Sequence, residues 1–455
     1  MNLLLRIAFF LVLSLNFEVN GQLNPAITAW MQNNTELGSY YMNGNPTPIS
    51  NSILVNCQSV QYSPNWAYIT ATGIPGYVTG PFLDGNPSQA QNQNAIFKVP
   101  LNPTQNTGTP TSTTMGNIGV FINGVALFDY RDGVSWNTSA NALCGGPGNP
   151  PCPGGPAANM PWNRDAVVAE REGFDCSKGH PAMGNYHHHQ NPSAFKLDLN
   201  VLSTICDIYD ADGLYAIDST MHSPLLGFAY DGFPIYGAYG FKNADGTGGI
   251  TRIKSGYQLR NITDRTVWAD GTDVDDGPAI NATYPLGYFR EDYEFISHPG
   301  EEEFLDEHNG RFCVTPEYPQ GIYCYFATVD ENWNSAYPYV IGPTFYGNSQ
   351  VTIVGSIAET VETYSPTSSI EQGKLNEINM YPVPALDVMV VQSSGVNYEP
   401  IHIEIFDLSG KLIVKNKINQ GSTICYLDVS HLYAGSYVIK FSNTLFSRTK
   451  PINIQ

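Results

Sequence analysis

The stretch IGVFINGVALFDY, residues Ile118–Tyr130, decides the fold class. Apolar and aromatic residues flank Asn123-Gly124, and Asn-Gly is the dipeptide most typical of a two-residue β-hairpin turn. A second stretch, LLGFAYDGFPIYGAYG at Leu225–Gly240, repeats the arrangement around Asp231-Gly232. The sequence therefore predicts a mainly β protein, with long ordered loops and few short helices.

One helix is predicted in the middle of the chain. Asn163 is the expected N-cap, Asp165 follows in the first turn, and the helix covers Ala166–Glu172. Gly173 is expected to end it.

The charge balance excludes one class of function. The 455 residues include 21 Lys and Arg against 41 Asp and Glu, a formal net charge of −20. Because such a chain repels phosphate backbones, nucleic-acid binding is not expected. Aromatic residues make up 12% of the chain, which is enough for a large buried core.

The N-terminal end has the features of a secretory signal. Arg6 provides the positive charge, residues 7–15 are apolar, and small residues precede a cleavage point after Gly21. The apolar run is too short to span a bilayer, so no transmembrane span is predicted. Residues 1–21 are thus a predicted signal peptide, 22–355 a β-rich domain, 356–377 a polar linker and 378–455 a second domain.

The C-terminal domain reads as a small β-sandwich with a hairpin turn at Ser409-Gly410. The strands are predicted at Val388–Val391, Ile401–Phe406, Lys411–Val414 and Tyr437–Phe441.

Three motifs in this domain occur in a recognisable order: YPVPA from Tyr381, DLSGK from Asp407 and LYAGSY from Leu432. With them, the segment resembles the C-terminal sorting domain of the bacterial type IX secretion system, although Val383 stands where that family prefers Asn. The resemblance implies an address that is usually removed, the type IX secretion machinery as partner, and a location that is secreted or on the outer-membrane surface. An ordinary adhesive sandwich domain is the alternative.

Eight cysteines suggest disulfides, as expected for an exported protein. Cys144 and Cys152 bracket a short Gly- and Pro-rich loop that a bridge would fix. Cys313 and Cys324 flank a predicted turn, so a cross-hairpin bridge is also considered. The central domain has an odd number of cysteines, and the one left over is expected to be free and buried, with a role as a ligand as the alternative.

Seven of the nine histidines fall between residues 180 and 308. At their centre is GHPAMGNYHHHQNPSAF. If Tyr186–Gln190 is a strand, His187 and His189 point to one face and can coordinate one metal ion, while His188 points to the other face. The alternative is a pair of buried histidines that hold backbone groups.

Two further histidines lie in loops that precede predicted strands, His222 and His308. Together with the two strand histidines they would give the three or four ligands of a zinc or copper site. If the protein is an enzyme, Asp231 or Glu307 is the first acid or base to test. Asp231 is equally explained as a turn former, and Glu307 as part of a solvated loop.

The same three stretches resemble the YHYH domain family. The Tyr-His-Tyr-His motif corresponds to Tyr186–His189, with His188 in place of the second Tyr. The other marks are HSPLLGFAYDGFPIYG from His222 to Gly237 and LDEHNGRFCVTPEYPQGIY from Leu305 to Tyr323. This resemblance implies no assigned activity.

Alternating carboxylates at Asp207, Asp210 and Asp212 suggest a calcium loop, with solvated turns as the alternative. The sequence thus predicts a secreted or cell-surface protein that binds a transition metal, with enzymatic activity left open. The alternative function is a non-catalytic surface or carbohydrate-binding protein, with structural histidines, calcium-stabilised loops and disulfides.

Overall fold

The structure, a computed structural model, describes most of the chain. The described residues are 23–83, 89–146, 148–153, 160–350, 352–365, 378–393, 397, 399–420, 422–443 and 447–455. The predicted signal peptide and residues 366–377 of the predicted linker lie outside them.

The regular elements before residue 366 are mainly short strands joined by long loops, as predicted. Two short α-helices occur there, α1 (Pro25–Thr28) and α2 (Ala166–Ala169), and 3-10 turns cover Arg171–Gly173, Phe195–Leu197, Ile205–Asp207 and Arg290–Asp292. The strands are β1 (Leu37–Met42), β2 (Asn45–Leu54), β3 (Cys57–Tyr62), β4 (Trp66–Ala71), β5 (Ala95–Pro100), β6 (Thr111–Ser112), β7 (Asn117–Phe121), β8 (Ala126–Phe128), β9 (Arg131–Asn137), β10 (Ala142–Cys144), β11 (Asn163–Asp165), β12 (His180–Ala182), β13 (Asn185–His188), β14 (Leu225–Ala229), β15 (Pro234–Tyr236), β16 (Tyr239–Phe241), β17 (Ile250–Arg252), β18 (Tyr257–Leu259), β19 (Tyr293–Phe295), β20 (Gly310–Cys313), β21 (Ile322–Phe326), β22 (Thr344–Phe345), β23 (Ile353–Val354) and β24 (Glu362–Tyr364).

An eight-stranded sheet forms the centre of this part of the chain, in the order β12-β13-β8-β7-β14-β15-β21-β20. Both predicted hairpins belong to it and are confirmed, because β7 pairs antiparallel with β8 and β14 with β15. Gly124 and Gly232 occupy the turns with φ of 75° and 89°, a conformation that glycine adopts without steric cost. Phe121, Phe228 and Tyr236 from these strands are fully buried in the core.

A five-stranded sheet, in the order β23-β5-β4-β3-β24, packs its apolar residues into the same core. Its edge strand β24 lies within the predicted linker, where Glu362 pairs with Tyr62 of β3. The first residues of that polar segment therefore extend the sheet, since backbone pairing at an edge does not require an apolar pattern.

The predicted helix is shorter than expected and has a different cap. Asp165, not Asn163, is the N-cap of α2, because its carboxylate accepts the N–H groups of Val167 and Val168 at 2.8 and 3.3 Å. Asn163 is instead held in β11 by pairing with β9. A 3-10 turn over Arg171–Gly173 follows the helix.

Two disulfides are present among the described residues. The Cys144–Cys152 bridge agrees with the prediction, and Cys176–Cys206 forms a second. The cross-hairpin bridge is not formed: Cys313 lies opposite Ile322 in the β20–β21 pairing, so Cys313 and Cys324 are diagonal rather than facing. The buried free thiols are therefore Cys57, Cys313, Cys324 and Cys425 rather than a single one.

The C-terminal strands form two sheets over one apolar core, as the predicted sandwich requires. They are β25 (Ile378–Tyr381), β26 (Val388–Ser393), β27 (Ile401–Phe406), β28 (Leu412–Ile418), β29 (Ile424–Asp428), β30 (Gly435–Ser442) and β31 (Ser447–Ile454).

The two parts of the chain share a smaller apolar cluster. Tyr41, Phe174 and Tyr209 of the first part pack in it with Val390 and Tyr426 of the sandwich. Among the described residues, no helix has the length and apolar composition that crossing a membrane requires.

Candidate metal centre

The β12–β13 hairpin brings three histidines to one face of the central sheet. His180 of β12 lies directly opposite His187 of β13, and His189 follows two residues later. The connecting Met183 and Gly184 both have positive φ, as a tight hairpin turn requires. Because alternate strand residues share a face, the three imidazoles converge.

The three rings are close enough to hold one ion. One ligand nitrogen from each of His180, His187 and His189 lies within 4.8 Å of the other two, and the three residues are 1–5% exposed. The Nε2 atoms of His187 and His189 are 3.1 Å apart.

Glu170 brings a carboxylate to this cluster. It is the C-cap of α2, and its Oε2 lies 3.2 Å from His180 Nε2 and 3.4 Å from His189 Nε2. Burial disfavours the charged carboxylate, but the close contacts with His180 and His189 outweigh it and hold the pKa of Glu170 below its ordinary value. The cluster thus contains three imidazoles and one ionised carboxylate.

Backbone carbonyl oxygens orient two of the imidazole rings through contacts with their Nδ1 atoms. His187 Nδ1 lies 2.8 Å from the carbonyl oxygen of Asn185, and His189 Nδ1 lies 2.6 Å from that of Asp129. A carbonyl oxygen only accepts, so each Nδ1 carries the proton and each Nε2 presents a lone pair to the cluster.

Aromatic side chains fix the rings from the sides. The Phe128 ring stacks on His187 with centroids 3.7 Å apart, and Phe174 meets His180 edge-on at 4.8 Å. Burial, followed by the neighbouring His189 and His180, lowers the pKa of His187 well below its ordinary value. The His187 ring is therefore neutral, which is the form that binds metals.

His188 points to the opposite face, as the strand alternation predicts. Its Nε2 lies 2.8 Å from the Tyr77 hydroxyl and its Nδ1 lies 3.1 Å from the carbonyl oxygen of Lys178. Burial lowers its pKa to about 3. This histidine is a buried, hydrogen-bonded core residue.

The structure does not bring His222 or His308 into the cluster. His222 packs against Tyr236 and holds its Nδ1 2.8 Å from the Ser223 carbonyl oxygen. His308 contacts Thr344, with Nδ1 2.8 Å from the hydroxyl. Their loops enter the sheet at other strands, so nearness to a strand in sequence did not place them beside His187.

The candidate acid–base residues also lie outside the cluster. Asp231 is buried, and its Oδ2 accepts the hydroxyl of Tyr325 at 2.6 Å and the N–H of Gly347 at 2.8 Å. Glu307 is exposed, and its carbonyl oxygen accepts the Tyr257 hydroxyl. These hydrogen bonds are typical of a structural residue that holds loops together.

Replacing Asp231 with alanine is expected to lower stability without reducing the metal content. The change leaves the Tyr325 hydroxyl and the Gly347 N–H without their buried acceptor, which costs about 2–4 kcal/mol of unfolding free energy. Urea denaturation measures this loss, and elemental analysis of the folded variant measures its metal. Loss of metal from a folded Asp231→Ala protein would place Asp231 at the metal centre instead.

Sequence reasoning missed His180 and Glu170. His180 reaches the cluster only through the register of its hairpin, and its Met183-Gly184 turn lacks the Asn-Gly or Asp-Gly signature. The position of Glu170 beside the histidines depends on the residue at which α2 ends. The Gly184 turn and the spacing of seven residues between His180 and His187 were the signals that could have found the first.

Comparison with known proteins gives a family match for each of the two parts of the chain. The C-terminal sandwich matches the secretion system C-terminal sorting domain over residues 379–455, which marks the protein for export to the cell surface or beyond. No curated protein matches the chain. One similar solved structure is a duf3244 family protein with an immunoglobulin-like β-sandwich fold from Bacteroides vulgatus. Its sequence is 15% identical, the match covers 17% of this chain and 81% of that one, and the TM-score is 0.15.

The strands that build the histidine cluster lie inside a second match. The family model of the YHYH protein covers residues 96–338, which is more than half of the chain and includes Glu170 and all three histidines. This chain belongs to the YHYH protein family.

Proposed function

We propose that the protein is an exported metal-binding protein that holds one zinc or copper ion through His180, His187 and His189, with Glu170 as the fourth ligand. The observation that carries this proposal is the 3.1 Å contact between the Nε2 atoms of His187 and His189. Both atoms present lone pairs, because both Nδ1 atoms face carbonyl oxygens.

Two lone pairs at this distance repel each other unless a positive species lies between them. A proton shared by the rings would create a buried imidazolium, whose charge is costly to remove from water. A divalent ion bonds to both lone pairs and is also balanced by the Glu170 carboxylate. A metal ion is therefore the better explanation.

The spacing of the donor atoms supports a tetrahedral site. Donors that lie about 2.0–2.1 Å from a zinc ion in tetrahedral geometry are roughly 3.3 Å apart. Three donor pairs in the cluster are 3.1, 3.2 and 3.4 Å apart, and the other histidine nitrogens lie within 4.8 Å of one another. These three pairs thus need little movement to take up the ion.

Three imidazoles and a carboxylate suit zinc or copper better than calcium or magnesium, which prefer oxygen ligands. With Glu170 bound, no position remains for water, so the arrangement favours a structural or electron-transfer role. Release of Glu170 would leave a three-histidine site with one open position, which is the arrangement of catalytic zinc.

Replacing Glu170 with glutamine is expected to weaken metal binding by about 10–100-fold, because the anionic donor is lost while the side-chain shape is kept. Competition with a chromophoric chelator measures this affinity. Glu307→Gln is the matched control, since Glu307 is exposed and outside the cluster, and its affinity should equal that of the wild type. Equal affinity of Glu170→Gln and the wild type would remove Glu170 from the ligand set.

Elemental analysis of the purified protein tests the proposed function itself. We expect close to one zinc or copper ion per chain after dialysis. Protein that neither retains nor takes up a transition metal would overturn the proposal.

We also propose that the type IX secretion machinery recognises the C-terminal sandwich. The motifs YPVPA, DLSGK and LYAGSY support this identification, and they lie in turns and at strand ends of the sandwich. The metal centre would then act at the outer-membrane surface or in the medium.

A further inference from the structure

Lys178 and Asp198 form a buried pair next to the segment that carries the histidine cluster. Nζ of Lys178 lies 2.6 Å from Oδ1 of Asp198, and the two side chains are 0% and 3% exposed. The ring of Phe195 lies 5.4 Å from Nζ and covers it on one side. Burying both charges so completely is costly even in a pair, because their attraction often fails to offset the lost hydration.

The neighbours of the pair suit an amide group better than two ions. An ammonium group has three N–H donors, and within the described part of the chain Nζ meets two acceptors, Asp198 Oδ1 and the Ser193 hydroxyl at 3.3 Å. The side-chain amide of Asn334 can donate to Asp198 Oδ2 at 3.3 Å. An amide that joins the two side chains needs one acceptor for its N–H and one donor for its carbonyl oxygen. Ser193 and Asn334 provide them.

We propose that Lys178 and Asp198 are joined by an isopeptide bond, an amide between their side chains that forms when the chain folds. A proton first passes from Nζ to the carboxylate across their contact, which leaves a neutral amine and a neutral carboxylic acid. The Nζ lone pair attacks Cγ of Asp198 and forms the C–N bond. The bond from Cγ to the hydroxyl oxygen breaks, a second proton passes from Nζ to that oxygen, and one water molecule leaves. An ammonium and a carboxylate thus give an amide and water, and no oxidant or other reactant is needed.

Burial and fixed position both favour this condensation. In the interior, a neutral amide avoids the cost of two charges that are withdrawn from water. Groups held in contact also react as though they were at very high concentration. The contact between Lys196 and Asp210 lacks the first condition, because those side chains are 21% and 67% exposed and water hydrates both charges. We expect that pair to stay ionic.

The isopeptide bond braces the segment that carries the proposed metal centre. It encloses residues 179–197, which include all three histidines of the cluster, and the Cys176–Cys206 disulfide encloses the same segment. Two covalent links around one segment restrict its conformations in the unfolded chain, which favours the folded state. Unlike the disulfide, the amide is not broken by reducing agents. The bond does not depend on the metal, since neither Lys178 nor Asp198 is a proposed ligand.

Mass spectrometry of the full chain tests the proposal, using protein produced without export and with its disulfides reduced. We expect an intact mass about 18 Da below that of the sequence, which is the mass of one water molecule. A tryptic digest should contain a branched peptide linked through residues 178 and 198. Lys178→Arg and Asp198→Ala should each show the full mass of their sequences, because they remove the nucleophile and the attacked carbon. Lys196→Arg is the matched control and should keep the deficit.

A wild-type mass equal to that of the sequence would overturn the proposal, because the pair is then ionic. A deficit that persists in Lys178→Arg would also overturn it, since the water is then lost elsewhere in the chain. If neither Lys178→Arg nor Asp198→Ala folds, the intact mass and the branched peptide of the wild type still decide the question.

Discussion

The double substitution His187→Ala/His189→Ala is expected to abolish stoichiometric binding of zinc or copper. Structural zinc sites supply on the order of 10 kcal/mol, and removing two of the three imidazoles should remove roughly half of it, a loss of more than about 1000-fold in affinity. Isothermal titration with zinc, supported by elemental analysis after dialysis, measures the change. Backbone carbonyl oxygens hold the Nδ1 atoms of His187 and His189 in place. Another side chain therefore does not readily take over the ligand position of either ring.

His308→Ala is the matched control for this variant. His308 is a histidine of the same domain, but it contacts Thr344 and lies outside the cluster. Its replacement should leave both the stoichiometry and the affinity unchanged. Metal retained by the double variant and lost from His308→Ala would show that the ion binds elsewhere.

Removing the transition metal is expected to lower the unfolding temperature of the protein by about 8–16 °C. A ligand present at about 1000 times its dissociation constant stabilises the folded state by roughly 4 kcal/mol, and each kcal/mol shifts the midpoint of a domain of this size by about 2–4 °C. The β12–β13 hairpin lies at the edge of the central sheet, and the ion would tie it to Glu170 at the end of α2.

Scanning calorimetry with and without 1,10-phenanthroline measures this effect. This chelator removes zinc and copper but leaves calcium, so it reports on the histidine cluster alone. The His187→Ala/His189→Ala variant should unfold at the same temperature with and without the chelator. A chelator-induced shift of equal size in that variant would contradict the assignment.

Much of the fold could be predicted from local signals. The Asn123-Gly124 and Asp231-Gly232 turns each specify a hairpin in two residues, and both hairpins form as predicted. The strands around Ser409-Gly410 were predictable for the same reason. The N-cap of α2 could not be predicted in this way. Pairing of β11 with β9 holds the backbone at Asn163 in an extended conformation, so Asp165 takes the capping position.

The candidate site was only half predictable. Strand alternation was sufficient to select His187 and His189 and to direct His188 to the other face. His180 depends on the register of a hairpin that has an unusual turn, and Glu170 depends on the packing of a four-residue helix against the sheet. His222 and His308 precede strands that lie apart from β13 in the sheet. The order of strands in a sheet cannot be predicted from a local sequence pattern.

The most direct test of the central claim is an anomalous diffraction measurement on crystals of the full chain, with data collected at the zinc and copper absorption edges. We predict one strong peak about 2.0–2.1 Å from a ring nitrogen of each of His180, His187 and His189, with Glu170 in contact. No peak in this cluster in crystals grown with either metal, or a peak at His222 or His308 instead, would contradict the account.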